Sequence, residues 1–171
     1  MIPHLTFAGY SGTGKTTLLI KVVEELSKRN IKISALKHDG HKFQMDKEGK
    51  DTYRLKEAGA FSVSISNDHK YAMISDADHR LNFYELMKIL PEGIDLVLGE
   101  GFKDDIVPKI LVHRAEIEEK DRNKSNLFSI EKNIIAVATD SPELFPKDFP
   151  VFNINDYLGI SEFILKYAAL K

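Results

Sequence analysis

The sequence predicts an α/β fold in which a mostly parallel sheet is flanked by helices. Three observations support it. A glycine-rich loop lies between a short apolar run and an amphipathic helix, and strand and helix patterns alternate along the chain. In addition, Ile94 to Leu98 is almost continuously apolar, which is typical of a strand buried on both faces of a parallel sheet. Because no repeat or linker interrupts the pattern, we expect residues 1–171 to form one P-loop domain.

The first half of the chain begins with a short strand and a long helix. The helix is expected to end near Asn30, a suitable C-terminal cap, and its apolar stripe is Leu18, Val22 and Leu26, widened by Leu19 and Val23. A second helix is predicted from about Asp51 to Ala58, because Gly59 follows. The strands are predicted at Ile31 to Leu36 and, as a hairpin, at Phe61 to Ser66 and Tyr71 to Ile74.

The second half alternates helix and strand. A helix is predicted from Leu81 to Leu90, since Pro91 and Gly93 follow it. The strands are predicted at Ile94 to Leu98, Ile110 to Val112, Ile134 to Ala138 and Val151 to Ile154. The charged segment from Arg114 to Lys124 is expected to be a mobile loop or a poorly packed helix. The closing helix is expected to be capped by Asn155 and to face the core with Leu158, Phe163, Ile164 and Tyr167.

The composition excludes several classes of protein. The chain has no cysteine, which excludes disulfides, thiolate metal sites and cysteine nucleophiles. Its formal net charge of -2 does not indicate binding to nucleic acid or to an anionic membrane. No apolar run approaches the ~20 residues of a membrane helix, and no signal peptide is recognised. We therefore expect a cytoplasmic protein without nucleic-acid or membrane partners.

The glycine-rich loop is the most informative segment, because Gly9 to Thr16 reads G-Y-S-G-T-G-K-T, a complete Walker A sequence. Glycines let backbone N–H groups wrap a phosphate chain. Lys15 supplies charge for the β- and γ-phosphates, and the Thr16 hydroxyl is placed to ligate Mg²⁺. A glycine-rich turn without a ligand is the alternative. The predicted nucleotide contacts in this segment are Gly9, Tyr10, Ser11, Gly12, Thr13, Gly14, Lys15, Thr16 and Thr17.

Glu100 is the second candidate, because it follows the apolar run that begins near Asp95. Ligands of open α/β sheets lie outside the carboxyl ends of the strands, so Glu100 is placed to hold Mg²⁺ or orient water, whereas Asp95 lies near the opposite edge and is expected to be structural. The alternative is that Glu100 only caps a loop. Lys15 and Glu100 are thus the catalytic candidates, and Thr16 and Glu100 the metal ligands.

A polar stretch after the second strand is expected at the same edge. We predict that Asp46 binds Mg²⁺-associated water there and that Lys37 or Lys47 meets the γ-phosphate; a solvated loop without a ligand role is the alternative. The pair His38 and His41 has H-x-x-H spacing, but no further ligand stands at a convincing distance for zinc.

Thr139 and Asp140 follow a predicted strand at the edge where a nucleotide base lies in this architecture. A carboxylate there can accept hydrogen bonds from guanine N1–H and N2–H₂. However, the usual N-K-x-D guanine signature is absent, and Asp140 could equally start a turn. The residues alone therefore leave guanine and adenine open.

Several segments together resemble one family. They are G-Y-S-G-T-G-K-T-T at Gly9 to Thr17, L-K-H-D-G-H at Leu36 to His41, D-K-E-G-K-D-T-Y-R at Asp46 to Arg54, A-G-A at Ala58 to Ala60, L-V-L-G-E-G-F-K at Leu96 to Lys103 and A-V-A-T-D at Ala136 to Asp140. The chain resembles the molybdopterin-guanine dinucleotide biosynthesis adaptor proteins, the GTP-binding B proteins of molybdenum cofactor maturation. It departs from the family pattern at Asp39-Gly40, which leaves the role of His38 open.

The resemblance implies a homodimeric adaptor that binds GTP and Mg²⁺, hydrolyses GTP weakly, and assists a nucleotidyltransferase that joins GMP to molybdopterin. The resemblance leaves open whether the chain also binds molybdopterin. The alternatives are a small-molecule kinase with Arg114 and Arg122 in a mobile lid, and an assembly platform with a degenerate site. No arginine finger is identifiable; the candidates are Arg54, Arg80 and Arg114.

Overall fold

The computed structural model describes residues 1–40, 42–119, 128 and 131–170. Its strands are β1 (His4–Ala8), β2 (Ile33–Lys37), β3 (Ser62–Ser66), β4 (Tyr71–Ser75), β5 (Leu96–Glu100), β6 (Lys109–His113), β7 (Ile134–Thr139) and β8 (Val151–Asn153). Its helices are α1 (Lys15–Lys28), α2 (Asp51–Glu57), α3 (Phe83–Lys88), α4 (Ala115–Glu119) and α5 (Tyr157–Ala168), with a 3₁₀ turn at Pro142–Leu144. Within these ranges, none of the helices has the length and apolar character to cross a bilayer.

The described chain divides into two compact units. One consists of Met1–His38 together with Asn82–Lys171, and the other of Asp39–Leu81. The larger unit contains a six-stranded sheet of order β2-β5-β1-β6-β7-β8, in which neighbouring strands run parallel. The predicted α/β fold with a mostly parallel sheet flanked by helices is therefore confirmed. The assignment of residues 1–171 to a single domain stays a prediction.

The centre of the sheet is buried on both faces, as the apolar run predicts. On one face, Leu5 and Phe7 of β1 and Leu96 and Leu98 of β5 have no exposed surface and pack against α1, whose predicted stripe is confirmed by the burial of Leu18, Leu19, Val22 and Leu26. On the other face, Val97 of β5 is fully buried beside Phe83 and Phe102. These contacts hold β1, β5 and α1 together, and the loop between β1 and α1 is fixed at both ends.

The closing helix α5 differs in detail from the prediction. Its cap is Asp156, which accepts a hydrogen bond from the Gly159 N–H at 2.9 Å, and not Asn155. Ile164 is buried as predicted, but Leu158 and Tyr167 are 47% and 44% exposed. The reason is position along the helix. Leu158 lies in the first turn of α5 and Tyr167 in the last turn, so both side chains are at the ends of the helix.

The smaller unit contains α2 and a two-stranded antiparallel sheet formed by β3 and β4. The register pairs Ser62 with Ser75 and Ser66 with Tyr71, so the predicted hairpin is confirmed. Gly59, with φ of 102°, follows α2 as predicted. The hairpin leaves several large apolar side chains exposed, namely Phe61, Ile65, Tyr71 and Met73.

Candidate functional site

The loop between β1 and α1 requires glycine where its backbone passes other strands. Gly9 has φ of 150°, and a Cβ there would lie 2.3 Å from the carbonyl oxygen of Val112 in β6. Gly14, with φ of 95°, is the N-terminal cap residue of α1 and has no side chain that could cap the helix. The first turn of α1 therefore begins without a capping side chain, as expected where N–H groups are to meet an anion.

Lys15, the first residue of α1, folds back over the loop. Its ammonium group donates a hydrogen bond to the Tyr10 carbonyl oxygen at 2.7 Å. Burial lowers the pKa of Lys15; Glu100 opposes this effect, while the neighbouring charges of Lys103 and Lys37 add to it. Lys15, Lys37 and Lys103 thus lie near one carboxylate, Glu100, and the excess of positive charge favours a polyanionic ligand.

Glu100 and Thr16 meet at the mouth of this loop. The Thr16 hydroxyl donates a hydrogen bond to Glu100 Oε2 at 2.7 Å, and Lys37 Nζ lies 3.4 Å from Glu100 Oε1. The sheet register explains the meeting, because Glu100 pairs with Phe7 on one side and Lys37 on the other. Glu100 is the last residue of β5, whereas the sequence placed it just past the strand.

The oxygen ligands at this point fit Mg²⁺. A threonine hydroxyl and a carboxylate are hard donors, and Mg²⁺ in phosphate sites takes one or two protein ligands together with waters and phosphate oxygens. Across the part of the chain that the structure describes, no group of three or more His, Cys, Asp or Glu side chains could hold a metal alone. The residues present therefore suit a metal that arrives with a phosphate ligand.

Asp95 and His38 form contacts at the two ends of β5. Asp95 Oδ2 accepts a hydrogen bond from the Lys32 N–H at 2.8 Å, at the amino end of β5, the edge predicted for it. The His38 N–H donates to the Glu100 carbonyl oxygen at 2.9 Å, and the His38 ring packs against Phe102 with centroids 5.5 Å apart. His41, its predicted H-x-x-H partner, falls outside the described residues.

Thr139 and Asp140 lie at the carboxyl end of β7, where the sequence predicted them. The Thr139 hydroxyl is buried; it accepts a hydrogen bond from the Ser141 N–H at 3.0 Å and lies 2.8 Å from Nδ1 of His113. Asp140 Oδ1 accepts a hydrogen bond from the Ala115 N–H at 3.1 Å. The proposed role of both residues toward the base stays a prediction.

Arg114 connects Asp140 to the glycine-rich loop. Its Nε donates a hydrogen bond to the Thr13 carbonyl oxygen at 3.2 Å, and its Nη1 lies 3.6 Å from Asp140 Oδ2. Sequence reasoning named Arg114 only as a lid or finger candidate and missed this contact. The missing signal was the strand order, which brings the end of β6 beside the loop. Arg122, the second lid candidate, lies outside the described residues.

The remaining predicted residues occupy different environments. The Tyr10 carbonyl accepts hydrogen bonds from Lys15 and from the Thr13 hydroxyl, and the Tyr10 ring lies 5.6 Å from the Lys103 ammonium. Lys103 belongs to the motif Leu96 to Lys103, but the sequence predicted no role for it. Asp46 belongs to the smaller unit, where its Oδ1 accepts the Lys47 N–H at 2.8 Å, and its role stays a prediction. The other predicted nucleotide contacts are exposed residues of the loop and of α1, namely Ser11, Gly12 and Thr17.

Known proteins resemble this chain over most of its length. The family described as molybdopterin guanine dinucleotide synthesis protein B (MobB) matches residues 4–140. The molybdopterin-guanine dinucleotide biosynthesis adapter protein of Haemophilus influenzae is 41% identical over 164 residues, which is 95% of this chain and 88% of that protein. The adapter protein of the same name from Escherichia coli is 34% identical over 170 residues, covering 98% and 94%. The crystal structure of Bacillus subtilis MobB superposes with a TM-score of 0.73 at 26% identity and covers 99% of both chains.

Proposed function

The chain belongs to the molybdopterin guanine dinucleotide synthesis protein B family, and from that premise we propose that it binds GTP with Mg²⁺ and acts as an adaptor in molybdopterin-guanine dinucleotide biosynthesis. We propose that its own GTPase activity is weak. Its relatives are named as biosynthesis adapter proteins, which supports an auxiliary role beside a partner enzyme. We infer that this partner is the nucleotidyltransferase that joins GMP to molybdopterin.

One observation carries the nucleotide proposal. The Thr16 hydroxyl, in the first turn of α1 after the glycine-rich loop, donates a hydrogen bond to the Glu100 carboxylate at 2.7 Å. The loop supplies positive φ angles and an uncapped helix start, which suit phosphate oxygens. The joined pair supplies the oxygen ligands that a phosphate-bound Mg²⁺ takes. The adjacency of this loop and this pair supports the proposal of triphosphate binding.

Each residue has a role that follows from its position. The backbone N–H groups of Gly12 to Lys15 would bind the phosphates, and the Lys15 ammonium would exchange the Tyr10 carbonyl for phosphate oxygens. Thr16 and Glu100 would hold Mg²⁺, which neutralises phosphate charge when bound. Glu100 would also orient an attacking water. Arg114 is engaged by the Thr13 carbonyl and by Asp140 in the ligand-free chain and would have to leave these partners to act on the phosphates.

We propose that the chain is a homodimer and that apolar side chains of the β3–β4 hairpin contribute to its protein contacts. The support is the exposure of Phe61, Ile65, Tyr71 and Met73 in the smaller unit. Tyr71 and Met73 lie on one face of the hairpin and Ile65 on the other. Exposed apolar side chains of this size are typical of interaction surfaces, because water contact with them is costly.

The nucleotide proposal is tested by equilibrium binding of a fluorescent GTP analogue with Mg²⁺ to the wild type, Lys15→Ala and Lys21→Ala. Lys21 is exposed on the same helix α1, so it is a matched control. We expect wild type and Lys21→Ala to bind at micromolar concentration and Lys15→Ala to lose binding. Unchanged binding by Lys15→Ala would leave the assembly platform as the better account. Rapid phosphorylation of a small acceptor would favour the kinase.

A further inference from the structure

Lys37 and Thr16 occupy different oxygens of the Glu100 carboxylate. Thr16 donates to Oε2 at 2.7 Å, and Lys37 Nζ lies 3.4 Å from Oε1. We propose that Lys37 is the counter-cation of Glu100 in the nucleotide-free protein and that Mg²⁺ displaces it from this carboxylate. Lys37 is then a positioning residue that sets the Mg²⁺ dependence of nucleotide binding. This inference rests on the proposed function.

Glu100 is a largely buried carboxylate. Its side chain is 10% exposed, whereas the Lys37 side chain is 56% exposed. A buried carboxylate loses its hydration and needs a cation or several hydrogen bonds in return. Glu100 is held by its burial and by the Thr16 hydroxyl, but Lys37, whose side chain is more than half exposed, can leave the pair for solvent at little cost. The pair is therefore asymmetric, with a fixed anion and a removable cation.

The neighbouring cations Lys15 and Lys103 contact Tyr10. Lys15 donates its hydrogen bond to Tyr10, and the Lys103 ammonium lies over the Tyr10 ring at 5.6 Å. Among the ion pairs of residues 1–40, 42–119, 128 and 131–170, Lys37 is the partner of Glu100. Lys37 therefore supplies the cation at contact distance, and the other two lysines act on the site from farther away.

Thr16 and Lys37 differ in whether they can remain on Glu100 when a divalent cation arrives. A threonine hydroxyl has one proton to donate and two lone pairs, so Thr16 can keep its bond to Glu100 and still face a metal. A lysine ammonium has only donors and carries the same sign as the metal. Lys37 and Mg²⁺ therefore compete for one carboxylate, whereas Thr16 and Mg²⁺ do not.

The test measures GTP affinity calorimetrically in EDTA and at increasing Mg²⁺, for wild type, Lys37→Met, Lys37→Arg and Lys103→Met. Lys37→Met removes a positive charge near the phosphates, so GTP affinity in EDTA should fall about two- to fivefold, the range of an exposed ion pair. Its half-saturating Mg²⁺ concentration should nevertheless fall by a similar factor, because the competitor is gone. Lys37→Arg keeps the charge and should stay close to the wild type.

Lys103→Met is the matched control, because it removes the same charge near Lys15 without touching the Glu100 pair. It should weaken GTP binding in EDTA and leave the Mg²⁺ midpoint unchanged. A midpoint for Lys37→Met equal to or above that of the wild type overturns the competition and makes Lys37 an ordinary phosphate contact. Absence of GTP binding by the wild type in every arm overturns the proposed function and this inference with it. Thermal unfolding without ligand confirms that each variant is folded.

Discussion

The Thr16 hydroxyl donates a hydrogen bond to the Glu100 carboxylate at 2.7 Å, although 84 positions separate the two residues. Thr16 lies in the first turn of α1, which follows β1, and Glu100 ends β5, which is the parallel neighbour of β1. The contact therefore exists because β5 is inserted beside β1 in the sheet. Everything proposed for Mg²⁺ and for Lys37 depends on this relationship.

Replacement of Glu100 should separate metal-dependent from metal-independent binding. Glu100→Gln keeps the size of the side chain but removes its charge, so GTP affinity in Mg²⁺ should fall about ten- to hundredfold, while affinity in EDTA should not fall. Asp95→Asn is the matched control at the other end of β5, where the carboxylate accepts the Lys32 N–H. Calorimetry measures both. An equal loss for Glu100→Gln with and without Mg²⁺ would remove Glu100 from the metal site.

Gly9 should tolerate no side chain. In Gly9→Ala the new Cβ would lie 2.3 Å from the Val112 carbonyl oxygen, a backbone group that cannot turn away. We expect the free energy of unfolding to fall by about 1–3 kcal/mol. Gly40→Ala is the control, since nothing lies within 4 Å of its Cβ position. Urea denaturation compares the two variants, and equal stability would contradict the close approach of the loop to β6.

The ligand-free stability should carry a pH signature of Lys15. Burial lowers its pKa from the usual 10.5, so the folded chain holds this proton less tightly than the unfolded chain. The contribution of Lys15 to stability therefore rises with pH between its folded and unfolded pKa values, a window that ends near 10.5.

Urea unfolding of wild type and Lys15→Met from about pH 7 to about pH 10 measures this signature. The difference in the free energy of unfolding should move in favour of the wild type as pH rises. If the difference in the free energy of unfolding between the two proteins does not change with pH, burial does not lower the pKa of Lys15.

Asp140 should distinguish guanine from adenine if it reads the base. Asp140→Ala should then lower GTP affinity about ten- to hundredfold, the loss expected for hydrogen bonds to a charged group, and leave ATP affinity unchanged. Arg114→Ala, which frees the Thr13 carbonyl, should change both affinities by the same factor. Competition binding with both nucleotides gives the ratio. If Asp140→Ala lowers the affinities for GTP and ATP by the same factor, Asp140 does not read the base and only holds Arg114.

The sequence was sufficient for features that depend on local pattern. The loop at Gly9 to Thr16, the stripe of α1 and the buried strand before Glu100 each follow from neighbouring residues, and the structure has them at the predicted places. The capping of α5 was misassigned because Asn155 and Asp156 are both good caps and only the Gly159 contact decides between them.

Features that depend on the order of the strands could not be predicted. The pairing of Lys37 and Phe7 with Glu100 needs β5 between β2 and β1. The approach of Arg114 to Thr13 needs β6 on the other side of β1. Hydrophobic periodicity shows that a strand is buried but does not tell which strand lies beside it.

The most direct test of the central claim is calorimetric titration of the wild type with GTP and with ATP, each with Mg²⁺ and with EDTA. The account predicts that GTP with Mg²⁺ binds at micromolar concentration or tighter, more strongly than GTP in EDTA and more strongly than ATP with Mg²⁺. It is contradicted if GTP with Mg²⁺ gives no binding, or if Mg²⁺ leaves GTP affinity unchanged.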